Sequence, residues 1–559
     1  MRAILVAAIV LAAGPAFADD GRDPARPAAP PKGGAGVIDG VDFGPQARLF
    51  YRVVACGGSD PLQVTSGTVI QNATIVNTRD GSLMTGVSVV VDGGKIQKIT
   101  AGAVVATGTA QVIDATGKFV VPGFLDMHTH LFNLGASDVQ LPLLEQLFIA
   151  NGITGIREMG GSPDFVQRAK QFNADLAAGK FDAPEILQIP GRIIGFPLIP
   201  GTDAGAPAAA SISAAAAVLE VQAQKAYGVG FIKTIGANHD ATLAFLAEAK
   251  NQGLGVAGHL NPSVSARDSS NAGWRAIEHL GASMGTLLDC STDEDTIRAT
   301  LLSGNGVLPA PNPPSFASNV LNAPLFQRVF NTYDTGKCQT LAQTFAKNET
   351  WHVPTLIRLR TGRFVEDSLY RTDPNLIYVS KASRAAWEAA AVQRLANFPP
   401  SAIATFHQYS GLESTLTKQM KQNGVKMLTG SDTSIHPIFS ATWVIPGFSL
   451  HQEFALLASA GLSPLDILQM TTLNGAQFLN REATMGTVDE GKNADLVLLD
   501  ANPIDNAANL DKISGVFLKG KYFSTAALAK LKSDVAQFYA SQPAPLSVVF
   551  DPNMPSHID

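Results

Sequence analysis

Between residues 124 and 432, short apolar runs alternate with helical stretches, and this rhythm constrains the fold more than any other feature. The runs are "FLDMHTH" (124–130), "ITGIREM" (153–159), "EILQIPGRI" (185–193), "FIKTIG" (231–236), "LGVAGHL" (254–260), "AIEHL" (276–280), "WHVPTL" (351–356) and "VKMLTGSD" (425–432). Strands joined by helical crossovers lie parallel, and eight of them close into a (β/α)8 TIM barrel. The expected class is α/β, with the barrel over 123–480. That exceeds the ~250 residues typical of the fold. The surplus falls in insertions at 281–350 and 357–424, expected over one barrel mouth as lids or walls. The stretch "SPLDILQMTTLNGAQFL" reads as the closing helix, with Ser463 as cap, Pro464 in the first turn and Asp466 at the positive end.

The flanks read differently. Val/Ile/Thr runs separated by Asp-Gly and Gly-Gly steps fill 66–122, the pattern of successive hairpins. Strand-and-turn text returns at 481–524, so both segments are expected in one small discontinuous β-sandwich domain. A C-terminal helix and tail should occupy 525–559. At the other end, Arg2, the apolar run Ala3–Ala13, the breaker Gly14-Pro15 and Ala16-Phe17-Ala18 form a secretory signal pattern, with cleavage after Ala18. That run is too short for a permanent membrane span. The Pro/Gly/Ala-rich residues that follow predict a flexible leader over 19–65. The expected location is the periplasm or outside the cell, with no membrane anchor after cleavage.

Hydrophobic residues make up 46% of the 559 and charged residues 16%, a balance that supports a large buried core. Net charge is −6 and no basic run occurs, which argues against a nucleic-acid partner. The cysteines are Cys56, Cys290 and Cys338, with no CxxC or Cys/His cluster. One disulfide is compatible with export, and Cys290–Cys338 is the favoured pair.

The chemistry-bearing residues fall at predicted strand ends. His128 and His130 stand two apart, so strand alternation points both the same way, together with Asp126. Alone, this pair is equally compatible with half a metal site or two hydrogen-bonded core histidines. Lys233, His259, His279 and Asp432 then end the fourth, fifth, sixth and eighth strands. Barrels of this kind carry their chemistry at that end. Six polar groups buried independently would each be costly, and a metal centre accounts for them together.

This set, with "VVPGFLDMHTHL", "NGITGIREMGG", "GVKMLTGSDT" and "GTVDEGKNADLVLLD" around it, resembles the amidohydrolase superfamily of metal-dependent hydrolases, in the branch that holds imidazolonepropionase-like and Xaa-Pro dipeptidase-like enzymes. The resemblance covers about 66–520. It implies two divalent metal ions, zinc foremost, with manganese, cobalt or iron as substitutes. His128, His130 and Asp432 would hold one ion, His259 and His279 the other, and an N-carboxylated Lys233 would bridge them. An unmodified lysine beside a single ion is the alternative. The implied reaction is attack of a metal-activated hydroxide on an amide carbonyl, with Asp432 as the catalytic proton carrier. The implied substrate is a small amide or peptide: a dipeptide, an N-acyl amino acid or a relative. Ester, lactone or cyclic-amide hydrolysis on the same centre is the alternative activity, and a non-catalytic barrel scaffold a remote one. Arg157, His436 and His352 are candidate substrate contacts, and Arg192, Arg358 and Arg360 are further cations near strand ends. A homo-oligomer is compatible with the sequence.

Overall fold

A computed structural model describes residues 37–38, 41–42, 61–101, 104–131, 141–195, 212–303, 316–434 and 443–543. The proposed signal segment, Cys56 and His436 lie outside the described residues. The chain divides into two units, residues 1–59 and 60–559. In the first, within the expected leader, Val37–Ile38 pairs antiparallel with Val41–Asp42. No helix among the described residues is long and apolar enough to cross a membrane.

The second unit holds the barrel. Its strands are Phe124–His130 (β1), Ile153–Glu158 (β2), Glu185–Gln188 (β3), Phe231–Thr234 (β4), Gly255–Gly258 (β5), Trp274–Glu278 (β6), Trp351–Val353 (β7) and Thr433–Ser434 (β8). Parallel ladders run in the orders β3-β2-β1-β8 and β4-β5-β6-β7. Parallel bridges join the halves: Pro190 to Phe231 and Ile194 to Thr234 on one side, His352 to Met427 on the other. These pairings link the eight strands in a ring.

The eighth strand is shorter than the run 425–432 suggests. Regular pairing is confined to the Met427 bridge and Thr433–Ser434. Between them Asp432 takes a left-handed backbone, φ 58°. The segment still follows β1, because Met127 N donates to Thr429 O at 3.0 Å and Asp432 N to His128 O at 2.9 Å. Gly430 permits that approach: a Cβ there would stand 2.7 Å from the His128 Cβ.

Alternation along the strands sorts the side chains into two layers. Leu125, Met127, Phe231, Ala257, Ala276, Trp351, Val353 and Leu428 meet inside the ring. Phe124, Ile156, Ile186, Ile232, Val256 and Ile277 face outward into the helical layer.

The two insertions are not simply lids. Thr335–Asn348 lays Phe345 against His352 on the outside of β7, with ring centroids 4.9 Å apart. Pro400–Gln422 buries Phe406, Tyr409, Leu416 and Met420 in the outer core. Both helices therefore serve as crossovers, β6 to β7 and β7 to β8. Cys290 and Cys338 form a disulfide within the first insertion, Cα–Cα 4.6 Å.

The closing segment starts with a capping box between Ser463 and Asp466. It then breaks into Pro464–Met470 and Leu473–Phe478, because β1 claims the carbonyl between them: Leu125 N donates to Thr471 O at 2.8 Å.

Eight of the remaining strands form one branched sheet. Phe119–Pro122 pairs Leu496–Leu499, so chain from both sides of the barrel shares the sheet. Thr68–Val76 changes partner midway: its first half pairs Gln111–Asp114 and its second half Phe119–Val120, with Asn72 at φ 59° between. The two-residue ladder of Gln63–Val64 with Val105–Ala106 packs Val64 and Val104 on Val69 and Val90. The helix Thr525–Ser541, capped by Ser524, ends the described chain.

Candidate metal centre

The centre is built around the end of β1. Strict alternation would aim Asp126, His128 and His130 alike, but the β1–β2 register slips between Asp126 and Thr129. Met127 therefore joins the interior, while Asp126 turns to the neighbouring segment. Asp126 Oδ1 accepts from Ser431 N at 3.0 Å and His128 N at 3.2 Å, and its Oδ2 accepts from Ser431 Oγ at 2.5 Å. Burial raises the Asp126 pKa to about 6 against these bonds. Asp126 thus staples β1 to the turn that carries Asp432.

That turn brings Asp432 Oδ1 to 3.2 Å from the Nε2 atoms of both His128 and His130. The ligand atoms of these three residues lie within 4.8 Å of one another, the separation a metal ion needs. The other ring nitrogen of His128 is held. Nδ1 stands 2.7 Å from Glu278 Oε2, and Glu278 Oε1 accepts from Arg157 Nη2 at 2.6 Å. Arg157 Nε also donates to Met127 O at 2.7 Å, and its guanidinium lies over the Phe231 and Phe478 rings. A carboxylate at Nδ1 places the proton there and leaves the Nε2 lone pair for a ligand.

Lys233 on β4 is buried, and its charge acts on both His130 and Glu278. His259 and His279 follow β5 and β6 directly. Ring centroids run 5.3 Å from His130 to His128, 4.4 Å from His128 to His279 and 5.0 Å from His279 to His259. His279 Nδ1 is 2.5 Å from Thr355 Oγ1, and both residues have left-handed backbones, φ 53° and 45°.

The electrostatics suit ligation. Burial lowers the pKa of His130 to about 4 despite the Asp432 carboxylate. Burial also takes His279 well below its ordinary range, with His128 adding to the effect. Both rings are neutral near pH 7, the form that binds metals. Burial alone would raise Asp432, but the imidazoles of His279 and His128 and the hydrogen bonds from His128 and His130 hold it well below the usual carboxylate range. Glu278 falls to about 2, because Arg157 and His128 outweigh its burial.

Of the six expected ligands, His128, His130 and Asp432 are brought to ligand distance of one another, and His279, His259 and Lys233 lie nearby. Two expected substrate contacts do not reach this group. Arg157 is fully buried, with Nη2 on Glu278 and Nε on Met127 O. His352 faces outward against Phe345, because Trp351 and Val353 take the inward positions of β7. Burial lowers its pKa to about 3. His436 lies outside the described residues. Glu278, Thr355 and Arg358 are the contributors that the strand pattern did not single out for the centre. Glu278 shares inward parity with Ala276 and could have been found that way. Thr355 and Arg358 depend on the turn after β7.

A parallel α/β barrel with buried histidines, an aspartate and a lysine at its strand ends defines a metal-site barrel protein. Two amidohydrolase family profiles match, over residues 111–154 and 383–523, and those segments contain His128, His130 and Asp432. Over those two segments the chain is similar to the amidohydrolase family. Among curated relatives, the imidazolonepropionase of Treponema denticola is 31% identical over 112 residues, 19% of this chain and 24% of that one. The dihydroorotase of Streptococcus thermophilus is 45% identical over 62 residues, 11% and 14% of the two chains. These matches span a quarter or less of the curated relatives. Solved structures align over far more. Bottromycin amidohydrolase has a TM-score of 0.62 at 18% identity, covering 84% of this chain and 90% of its own. A Xaa-Pro dipeptidase with bound methionine has a TM-score of 0.55 at 18% identity, covering 82% and 100%. At such identities the structural likeness speaks for the shared fold.

Proposed function

We propose that this chain is an exported, metal-dependent hydrolase that cleaves the C–N bond of a small amide such as a dipeptide or N-acyl amino acid. The observation that carries the reading is the His128–His130–Asp432 group, with His128 oriented by Glu278. The donor set fits a divalent ion: two imidazole Nε2 atoms and a carboxylate oxygen, with neutral rings in reach. Divalent ions there, zinc foremost and with a carbamate on Lys233 as shared ligand, would supply a hydroxide near neutral pH and a Lewis acid for the carbonyl oxygen.

The chain's own groups do the rest. Asp432 stays ionised, so its carboxylate can take the proton released on attack and return it to the leaving nitrogen. Glu278 and Thr355 fix the planes of His128 and His279. Export is supported by the signal pattern at residues 1–18 and by the Cys290–Cys338 disulfide, a bond of oxidising compartments.

Metal-reconstituted protein should release amine from a panel of dipeptides and N-acyl amino acids. Asp432→Asn and His128→Ala should each lower turnover by about three orders of magnitude with the fold intact by circular dichroism. Near-normal turnover in either variant overturns the assignment. One metal per chain by elemental analysis, with no added mass on Lys233, overturns the bridged pair.

A further inference from the structure

We infer that Tyr409 is a positioning residue for His279: its hydroxyl holds a strained turn that aims the His279 ring at the metal centre. The role rests on the metal-hydrolase reading and gives both long insertions a part in it. The turn begins at His279 itself. His279, Leu280, Ala282 and Ser283 all have left-handed backbones, φ 53°, 54°, 58° and 46°. L-residues avoid this region because Cβ crowds the following carbonyl oxygen, so four of them in five positions make a costly stretch. Ala282 is the extreme case: with φ 58° and ψ 166° it occupies a region that is essentially reserved for glycine. Such strain persists only where the surroundings impose it, and it concentrates at functional sites.

The surroundings grip the turn from three sides. From β5, Leu260 N donates to Gly281 O at 3.0 Å. From the turn after β7, Thr355 Oγ1 stands 2.5 Å from His279 Nδ1. From the second insertion, Tyr409 in the helix Pro400–Gln422 donates its hydroxyl to Met284 O at 3.2 Å. The Tyr409 ring is fully buried and lies edge-on to Phe326 of the first insertion, centroids 4.7 Å apart. Burial raises the Tyr409 pKa well above its ordinary range, so the hydroxyl keeps the proton that it donates. Between these grips the turn doubles back on itself, and a Cβ on Gly285 would stand 2.4 Å from Leu280 O. Leu260 and Thr355 belong to strand ends that the barrel fixes, whereas Tyr409 reaches the turn from the outer helical layer. Without its hydroxyl, residues 282–285 can relax toward ordinary φ, and the His279 ring turns with them.

The test uses Tyr409→Phe, which keeps the ring and deletes the hydroxyl, alone and combined with Ala282→Gly. Glycine takes the Ala282 conformation without steric cost, so the turn then needs no hydroxyl to hold it. Hydrogen exchange of the metal-free protein, followed by mass spectrometry over residues 279–290, reads the turn. Competition with a calibrated chelator reads zinc affinity. Tyr409→Phe should speed exchange about fivefold, the worth of one hydrogen bond, and weaken zinc binding about tenfold. Adding Ala282→Gly should restore both, which it would not do if the hydroxyl merely supported the fold. Ala282→Gly alone should raise the denaturation midpoint of the metal-free protein, and a lowered midpoint overturns the strain. Exchange or zinc affinity unchanged in Tyr409→Phe, or no restoration by Ala282→Gly, overturns the role of Tyr409 and leaves the hydrolase reading standing. The expected pattern with no hydrolysis of any amide supports that role and overturns the hydrolase reading instead.

Discussion

Glu278→Gln tests the clamp beneath the centre. Glu278 is fully buried and bonded on both oxygens, to His128 Nδ1 at 2.7 Å and Arg157 Nη2 at 2.6 Å. Glutamine keeps the shape but removes the charge that Arg157 needs. Breaking one partner of a buried ion pair costs about 3–5 kcal/mol, and the retained amide oxygen argues for the lower end, about 3 kcal/mol. Gln also offers an NH2 where His128 needs an acceptor, so the His128 tautomer is no longer enforced. Loss of such an outer partner typically weakens metal affinity about 10–100-fold, or 1.4–2.7 kcal/mol. Urea unfolding of the metal-free protein reads the first effect, and competition with a calibrated chelator reads the second. Arg157→Met in the Glu278→Gln background should restore part of the stability, because the stranded cation is gone, but not the metal affinity. A single variant within 1 kcal/mol of wild type and within twofold in metal affinity would refute the clamp.

Glu453 is buried, and burial raises its pKa to about 8 against the backbone bonds from Ile357 and Leu356. Its contribution to stability is therefore complete below the unfolded value near 4.5 and is lost as pH rises through about 8. Glu453→Gln should gain on wild type by up to about 1.4 kcal/mol per pH unit across that window, and a pH-independent difference in denaturation midpoints contradicts this. Removing the Cys290–Cys338 disulfide, whose partners are 48 residues apart, should cost about 4 kcal/mol by loop entropy, read as a lowered Tm of the double Ala variant; an unchanged Tm refutes it. Gly430→Ala would place a Cβ 2.7 Å from that of His128 and 2.9 Å from Val353 Cγ1, so overpacking should cost about 1–3 kcal/mol and lower metal content by elemental analysis; an unaltered protein would show that the segment can retreat.

The barrel and the six strand-end residues were legible in the chain itself, because each rests on a local pattern, whereas Cys290–Cys338 was a favoured pairing that the sequence alone could not fix. Strand-and-helix rhythm sets the topology, HxH sets two imidazoles together, and inward parity delivers Lys233 and Glu278 alike. Tertiary structure decided the rest. Asp126 read as a backbone-binding residue beside the histidines, and only the closed barrel showed which backbone it holds, that of Ser431 and His128. His352, near the start of its strand, could be structural or a site contact, and β7 decided for structure by giving Trp351 and Val353 the inward places. Arg157 read as a substrate contact and is instead the counter-ion of Glu278, 121 residues away in sequence. Register slips, left-handed turns at Thr355 and Asp432, and pairings between remote strands are settled by hydrogen bonds that close only when the ring does. The residue types at the metal centre are therefore written locally, while their orientation is a property of the closed barrel.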